Sequence, residues 1–186
     1  MATILTRAGL GIESPLVTVE VHTGGGLPAF AIVGLPEAAV RESRERVRAS
    51  LQTCGYRFPD GKVIVNLAPA DLPKEGGRYD LPIALGLLIA SRQLDGISAG
   101  TLEIHEFVGE LALDGRLRPV RGVLPASAAA AELGHALVVP KPTGPEAALA
   151  HGSRVLVAEH LSEVVEHLKG LGELARCEAC LVPRPV

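Results

Sequence analysis

The alternation of hydrophobic and polar positions predicts strands in the first third of the chain. Val17, Val19 and Val21 share one face of an extended run, as in a half-buried strand. Because short turns such as Gly24-Gly25-Gly26 join the first three strands, we expect an antiparallel meander. The β-branched runs that predict strands are residues 4–8, 16–22, 29–33 and 62–67.

A helical period follows the third of these strands. Pro36 stands at a first helical position, where its missing N–H is not needed, and the apolar stripe continues to Gly55. The second predicted helix, residues 80–91, is apolar nearly all round and should be buried, with Asp80 as its N-cap. We expect helices 36–53 and 80–91 to pack on one sheet. Their predicted buried residues are Val40, Val47, Leu51, Leu85 and Leu88.

The second half of the chain is predicted to form a hairpin followed by alternating strands and helices. Residues 105–110 and 116–120 flank Asp114-Gly115, which is typical of a tight turn. Alternating strands and helices then predict parallel pairing. The segments are helix 123–133, strand 136–139, helix 144–150, strand 154–157 and helix 160–170.

Together these patterns predict an α/β (α+β) domain with an antiparallel-rich sheet in its first half, packed by helices. We place the domain at residues 1–172. Residues 173–186 are interpreted as a tail and the start of a linker, because the chain there ends in a Pro-containing run from Val182 to Val186.

Composition narrows the class of protein. The chain has 186 residues, 47% of them hydrophobic and 21% charged, which is typical of a soluble globular domain. The longest apolar stretch, Leu81 to Ala90, is too short to span a bilayer, and the first residues lack a signal-peptide layout. Three cysteines make no disulfide framework, so we expect a cytoplasmic protein. With a formal net charge of −3, any nucleic-acid binding must come from a local basic patch.

Three segments, taken in order and spacing, carry a family resemblance. They are residues 11–21 (GIESPLVTVEV), 27–37 (LPAFAIVGLPE) and 66–82 (NLAPADLPKEGGRYDLP). They resemble the amino-terminal domain of ComM/YifB proteins, which are also called magnesium-chelatase-like or ChlI-like. The resemblance extends from about residue 3 to about residue 170.

This resemblance implies a Lon-protease-like fold, shared with a domain of small ribosomal proteins, placed ahead of an AAA+ module that assembles as a homohexamer. It also implies a helicase that promotes DNA branch migration during natural transformation, with ATP and Mg²⁺ as cofactors of the full-length protein. The chain itself has no G-x-x-x-x-G-K-[ST] motif, whose backbone and Lys would hold the phosphates. We therefore expect no cofactor in this chain.

Comparison with the Ser–Lys dyad of active Lon proteases predicts that catalysis is lost. Residues 73–80 resemble the segment that presents the nucleophilic serine, with Arg78 at its position. Residues 119–124 resemble the segment that presents the lysine, with Leu124 in its place. Since acyl transfer needs both a nucleophile and a base, we expect no catalytic residue here.

Helix 36–53 carries a ridge of basic residues. Arg41, Arg44 and Arg48 share one of its faces. One interpretation is a surface that contacts DNA phosphates or a neighbouring subunit, because Arg presents a planar fork of donors. The other is a solvated face in which these arginines pair with Glu37 and Glu45.

A glycine-rich loop carries two more candidates. Lys74 and Arg78 flank Gly76-Gly77, and such loops often hold binding residues. The alternative is a structural loop in which Arg78 pairs with Asp71 or Asp80. A third basic group, interpreted as a surface hairpin, comprises Arg116, Arg118 and Arg121.

The tail contains a lone C-x-x-C motif, Cys177 and Cys180. A structural zinc site needs four ligands, and no second pair is present, so two free thiols are the simpler interpretation. The six histidines are scattered along the sequence and give no catalytic signal.

Two kinds of function remain open from the sequence. The first is a non-catalytic domain of a DNA-remodelling AAA+ motor, which guides DNA or organises the subunits of the ring. The second is an accessory domain of a magnesium-chelatase-like ATPase, or a divergent Ser–Lys peptidase. The expected partners are the AAA+ module, neighbouring subunits and single-stranded or branched DNA, and no membrane.

Overall fold

One eight-stranded mixed sheet runs through residues 1–180, which are the residues that the computed structural model describes. In space its strands lie in the order β10-β9-β8-β5-β1-β2-β4-β3, and β6 pairs separately with β7. The strands are β1 (Ala2–Arg7), β2 (Leu16–Gly24), β3 (Ala29–Val33), β4 (Lys62–Ala68), β5 (His105–Phe107), β6 (Glu110–Leu111), β7 (Leu117–Arg118), β8 (Ala136–Pro140), β9 (Arg154–Ala158) and β10 (Ala175–Cys177). The helices are α1 (Ala38–Arg41), α2 (Ser43–Thr53), α3 (Asp80–Ala90), α4 (Ala99–Glu103), α5 (Val123–Glu132), α6 (Gly144–Ala147) and α7 (Leu161–Lys169).

The expected meander of the first three strands is wrong. β1 pairs antiparallel with β2, but β4 lies between β2 and β3. β3 forms the edge of the sheet and runs parallel to β4. The chain between them contains α1 and α2, and a parallel pair requires such a crossover, whereas a short turn would give an antiparallel pair.

The two predicted helices of the first half are present, with two corrections. The first divides at Glu42 into α1 and α2. Asp80 is not an N-cap but lies in the first turn of α3, where its carboxylate binds side chains of α2. The predicted core is confirmed, since five apolar side chains have no exposed surface: Val40, Val47, Leu51, Leu85 and Leu88.

Helix α3 packs closely on the first half of the sheet. A Cβ built on Gly86 would meet the Val21 side chain at 2.5 Å, so glycine at this position lets α3 approach β2. α3 contacts β1 and β2, and it also contacts α2, which lies in the crossover between β3 and β4 and places Arg44 over Phe30 of β3. Arg44 and Arg48 of α2 are exposed, whereas Arg46 is only partly exposed.

Parallel pairing in the second half is confirmed. β5, β8 and β9 are parallel neighbours, and β5 also pairs parallel with β1, which joins the two halves into one sheet. Alternate residues of β8 and β9 belong to two hydrophobic clusters, so helices cover both faces here. The α/β class is thus confirmed for the chain.

The folded part continues beyond the boundary expected at residue 172. β10 pairs antiparallel with β9 and includes Cys177, and Leu174 just before it is buried. The backbone hydrogen bonds of β10 fix residues that the sequence assigned to a tail. The expected start of a linker at Val182–Val186 lies outside the described residues. Within residues 1–180, no helix is both long enough and apolar enough to cross a bilayer.

Candidate functional site: a basic ridge and a glycine-lined cleft

The arginines predicted as a ridge on α1 and α2 are exposed. Arg41, Arg44 and Arg48 all lie at the surface, and the only ion pair found for them in residues 1–180 is a loose one from Arg44 to Glu45, at 3.9 Å. Pairing with Glu37, considered in the alternative interpretation, does not occur among these residues. The fourth arginine, Arg46, turns inward to Asp80.

Two phenylalanines lie beneath this ridge. The Arg44 guanidinium stands 5.9 Å from the Phe30 ring centroid, and the Arg48 guanidinium stands 5.1 Å from that of Phe58. The two rings are 5.8 Å apart. The sequence analysis did not identify this pair, because Phe30 on β3 and Phe58 before β4 meet only in the fold.

One shallow depression borders the ridge, and a second one adjoins the first. One, of about 150 Å³, is lined by Arg44, Arg48 and both phenylalanines. The other, of about 220 Å³, shares Phe58 and adds the exposed Arg57. We call this combination of Arg44, Arg48, Arg57, Phe30 and Phe58 the Arg–Phe surface.

The glycine-rich loop and the segment after β7 form a separate cleft. Its volume is about 500 Å³, and five of the eleven described residues that line it are glycines. Residues 75–78 form one wall and residues 119–122 another. The structure thus brings together the two segments that were compared with the serine and lysine segments of Lon proteases. Among the described lining residues there is no serine and no lysine.

Arg78 lies at this cleft and is 94% buried, with a relative exposure of 6%. Its Nε and Nη2 are covered by the protein, yet they bond to no acceptor in residues 1–180. The alternative pairing with Asp71 or Asp80 does not form among these residues, since Asp80 is occupied by Arg46 and Ser43. Burial lowers the pKa of Arg78.

Lys74 has a structural position, which corrects its prediction as a DNA or subunit contact. Its side chain has no exposed surface, and Nζ donates to the carbonyl oxygens of Gly34, at 2.6 Å, and Pro69. Its backbone also bonds to Leu35 and Glu37. Burial lowers the pKa of Lys74. The lysine ties two loops together and presents no charge to a ligand in this conformation.

The other predicted groups lie apart from both sites, except for Arg121 in the cleft wall. The expected hairpin around Asp114-Gly115 is formed by β6 and β7, and Arg116 pairs there with Asp114 at 3.5 Å. Cys177 is half-buried in β10 and Cys180 is exposed, and both are free thiols. Residues 1–180 contain no group of three or more His, Cys, Asp or Glu side chains placed to hold a metal ion.

Two histidines that are 62 residues apart in sequence meet in the fold. His167 accepts a hydrogen bond from the Leu174 N–H at Nδ1, which leaves its Nε2 as the protonated nitrogen. That nitrogen lies 3.2 Å from Nε2 of His105, whose Nδ1 donates to the Thr101 carbonyl at 2.7 Å. These three hydrogen bonds can form together only when both imidazole rings are neutral.

We expect mild acid to destabilise the protein at this pair. Burial lowers the pKa of both His105 and His167, and the nearby Arg154 acts in the same direction on each. His135 also lowers the pKa of His105, while Glu173 raises that of His167. The unfolded chain therefore takes up protons first, near pH 6.5, and stability is lost as pH falls from there through the lowered pKa values.

The measurement is the urea midpoint between pH 7.5 and 5. His167→Gln should show a smaller loss over this range than the wild type, because one titrating ring is removed. His151→Gln, at an exposed position, is the matched control and should follow the wild type. Equal pH dependence in all three proteins would contradict the assignment.

One family model and several known bacterial proteins are similar to this chain. The family described as "Subunit ChlI of Mg-chelatase" matches residues 19–143. YifB of Escherichia coli K12 is 48% identical over 176 residues, covering 95% of this chain and 34% of its own length. Competence protein ComM of Haemophilus influenzae is 48% identical over 174 residues, covering 94% and 34%. Protein Rv2897c of Mycobacterium tuberculosis is 42% identical over 166 residues, covering 89% and 32%. The chain thus spans about a third of the length of these relatives.

Proposed function

Because the chain belongs to the ComM/YifB family of magnesium-chelatase-like proteins, we propose that it is a non-catalytic domain that guides DNA in a ComM-like AAA+ helicase. The complete protein would be a homohexamer that uses ATP and Mg²⁺ in the cytoplasm to promote branch migration during natural transformation. The name of the Haemophilus influenzae relative, a competence protein, supports this biological setting.

The observation that carries the proposal is the Arg–Phe surface. Proteins that bind single-stranded nucleic acid without sequence preference combine basic side chains, which contact phosphates, with flat groups on which bases stack. Arg44, Arg48 and Arg57 supply exposed charge, and the guanidinium planes and phenylalanine rings supply flat surfaces. Asp60 also lines both depressions, so three arginines against one aspartate leave a local basic patch on a chain whose net charge is −3.

We expect one copy of the domain to bind DNA weakly. Few phosphate contacts are available on one domain, so a dissociation constant of about 10⁻⁵ M or weaker is expected at physiological salt. A homohexamer would present six such surfaces around one strand, and multivalency would raise the affinity without any new contact. Guiding DNA toward an ATPase ring needs this kind of weak and repeated contact.

The test replaces two arginines in the full-length protein. Arg44→Gln with Arg48→Gln should weaken binding of a single-stranded oligonucleotide by about tenfold or more. The slope of log affinity against log salt should fall by about 1.4, since each lost contact to a single strand is worth about 0.7. Fluorescence anisotropy between 50 and 200 mM salt measures both quantities.

The control makes the same charge change elsewhere. Arg116→Gln with Arg118→Gln alters two exposed arginines of the hairpin and should leave the slope unchanged. If the Arg44 and Arg48 variant binds DNA normally but fails to assemble, the ridge is a subunit contact and the DNA role must be dropped.

A second candidate is an accessory domain of a chelatase-type ATPase, because the matching family is described as a subunit of Mg-chelatase. Under this alternative the Arg–Phe surface would contact a protein partner. The full-length chain would then show no salt-dependent binding of oligonucleotides that depends on Arg44 and Arg48. The same titration therefore separates the two candidates.

A further inference from the structure

One carboxylate lies among the arginines of the Arg–Phe surface. Asp60 is exposed and lines both depressions. Within residues 1–180 its side chain forms no ion pair and no hydrogen bond, although three arginines line the same depressions. A carboxylate in this place repels phosphates, so a purely electrostatic DNA contact gains nothing from it. We propose that Asp60 selects guanine among the bases of the bound strand, an inference that rests on the DNA-binding function proposed above.

The segment that carries Asp60 is anchored at both ends. The Arg57 N–H donates to Oε1 of Gln93 at 2.8 Å, and Nε2 of Gln93 donates to the Arg57 carbonyl at 2.7 Å. At the other end, a Cβ built on Gly61 would meet the Gly24 carbonyl oxygen at 2.0 Å, so glycine lets this segment lie against the end of β2. An anchored backbone lowers the entropy cost of directing the Asp60 carboxylate to a ligand.

The groups that line the first depression are complementary to guanine. A carboxylate only accepts hydrogen bonds, and guanine presents two adjacent donors, N1–H and the N2 amino group, on its Watson–Crick edge. Its O6 and N7 atoms accept two hydrogen bonds from one arginine. Arg44 and Arg48 line the depression of about 150 Å³ together with Asp60. Guanine is therefore the base whose donors meet the carboxylate while its acceptors meet an arginine.

The other three bases match these groups less well. Thymine presents one donor, N3–H, between two carbonyl oxygens that a carboxylate repels. Adenine and cytosine each present one amino group beside a ring nitrogen that is an acceptor, so the carboxylate gains one hydrogen bond and meets a lone pair. The base contact adds a preference for guanine to phosphate contacts that carry no sequence information.

The test measures binding of four single strands of equal length to the full-length protein by fluorescence anisotropy. They are oligo-dT, a dT strand with guanine at every third position, and the same strand with inosine or 7-deazaguanine in place of guanine. We expect the guanine strand to bind at least about fivefold more tightly than oligo-dT, the lower end of what one bidentate base contact contributes. Inosine lacks the N2 amino group and should lose most of this preference. 7-Deazaguanine lacks N7 and should lose part of it.

Asp60→Asn tests the residue itself. Asparagine is similar in shape and suits the same kind of turn, but it is not an acceptor-only group. The guanine preference should fall below about twofold. Binding of oligo-dT should become tighter, because a negative charge near the phosphates is removed. A merely structural role of Asp60 would instead weaken the binding of both strands and overturn the proposal.

Asp95→Asn is the matched control. Asp95 is also exposed and also precedes a glycine, but it lines neither depression. This variant should keep the wild-type ratio between the guanine strand and oligo-dT. Loss of the preference in this control as well would show that the ratio depends on net charge and not on Asp60, and it would overturn the assignment.

The outcomes separate this inference from the function on which it rests. If all four strands bind equally, with a salt dependence that needs Arg44 and Arg48, the guanine assignment is wrong and the DNA role stands. If no strand binds, both are wrong. A preference that persists in Asp60→Asn assigns guanine recognition to other residues, and inosine that binds as tightly as guanine shows that the N2 amino group is not recognised. Either result overturns the proposal.

Discussion

Replacing Glu106 with alanine is expected to lower the free energy of unfolding by about 3–5 kcal/mol, as is typical when one partner of a buried ion pair is removed. Glu106 is fully buried on β5 and accepts from Nε and Nη2 of Arg7, both at 2.8 Å. His135 Nδ1 lies 3.0 Å from the same carboxylate. Arg7 itself is 94% buried, with a relative exposure of 6%, so the substitution leaves an uncompensated charge inside the protein.

Because of where the Arg7–Glu106 ion pair lies, we expect its loss to destabilise the whole domain. Arg7 is on β1, and the parallel contact of β1 with β5 joins the antiparallel half of the sheet to the parallel half. Denaturant unfolding followed by circular dichroism measures the loss. Glu159→Ala breaks an exposed pair with Lys141, at 3.6 Å, and should cost less than about 1 kcal/mol.

A double variant tests the physical reason. Arg7→Met with Glu106→Leu removes both charges and fills much of the space with apolar atoms. It should be more stable than Glu106→Ala, because no charge remains buried without a partner. If the double variant is the less stable of the two, packing and not the unpaired charge dominates at this position.

Replacing Asp80 with alanine is the second large change, and we expect a loss of about 3 kcal/mol. Four donors converge on its carboxylate: Arg46 Nε at 2.6 Å, Arg46 Nη2 at 3.0 Å, Ser43 Oγ at 2.5 Å and the Leu111 N–H at 3.1 Å. Arg46 retains some exposure and can recover part of its hydration, which limits the loss.

Burial and hydrogen bonding shift the pKa of Asp80 in opposite directions. Burial raises the pKa of Asp80, while its bonds from Arg46 and Ser43 lower it. The bond to Asp80 in turn raises the pKa of Arg46. Because four donors point at the carboxylate, we treat the pair as charged at neutral pH.

Asp80→Ala should also weaken DNA binding, since Asp80 anchors α2, which carries Arg44 and Arg48. The measurement combines urea unfolding with the anisotropy titration. Asp95→Ala, at an exposed position, is the control and should change stability by no more than about 0.5 kcal/mol. An Asp80→Ala protein as stable as the control would show that the four bonds add nothing net.

The sequence determined the α/β class, most helix and strand positions and the core residues Val40, Val47, Leu51, Leu85 and Leu88, because these depend on local periodicity. It also identified the family through contiguous segments such as residues 66–82. Helix boundaries and the role of Asp80 were less accurate, since the capping preference of an aspartate was overridden by a tertiary ion pair with Arg46.

Only the tertiary structure decided which strands are neighbours and which charges reach solvent. The order β2-β4-β3 depends on a crossover that alternation within single strands cannot reveal. Lys74 and Arg44 are both basic residues in plausible positions, yet one is buried against carbonyl oxygens and the other covers Phe30 at the surface. Such differences come from contacts between distant segments, as do the buried Arg78 and the histidine pair. Periodicity specifies which face of an element is buried, but only packing specifies what that face meets.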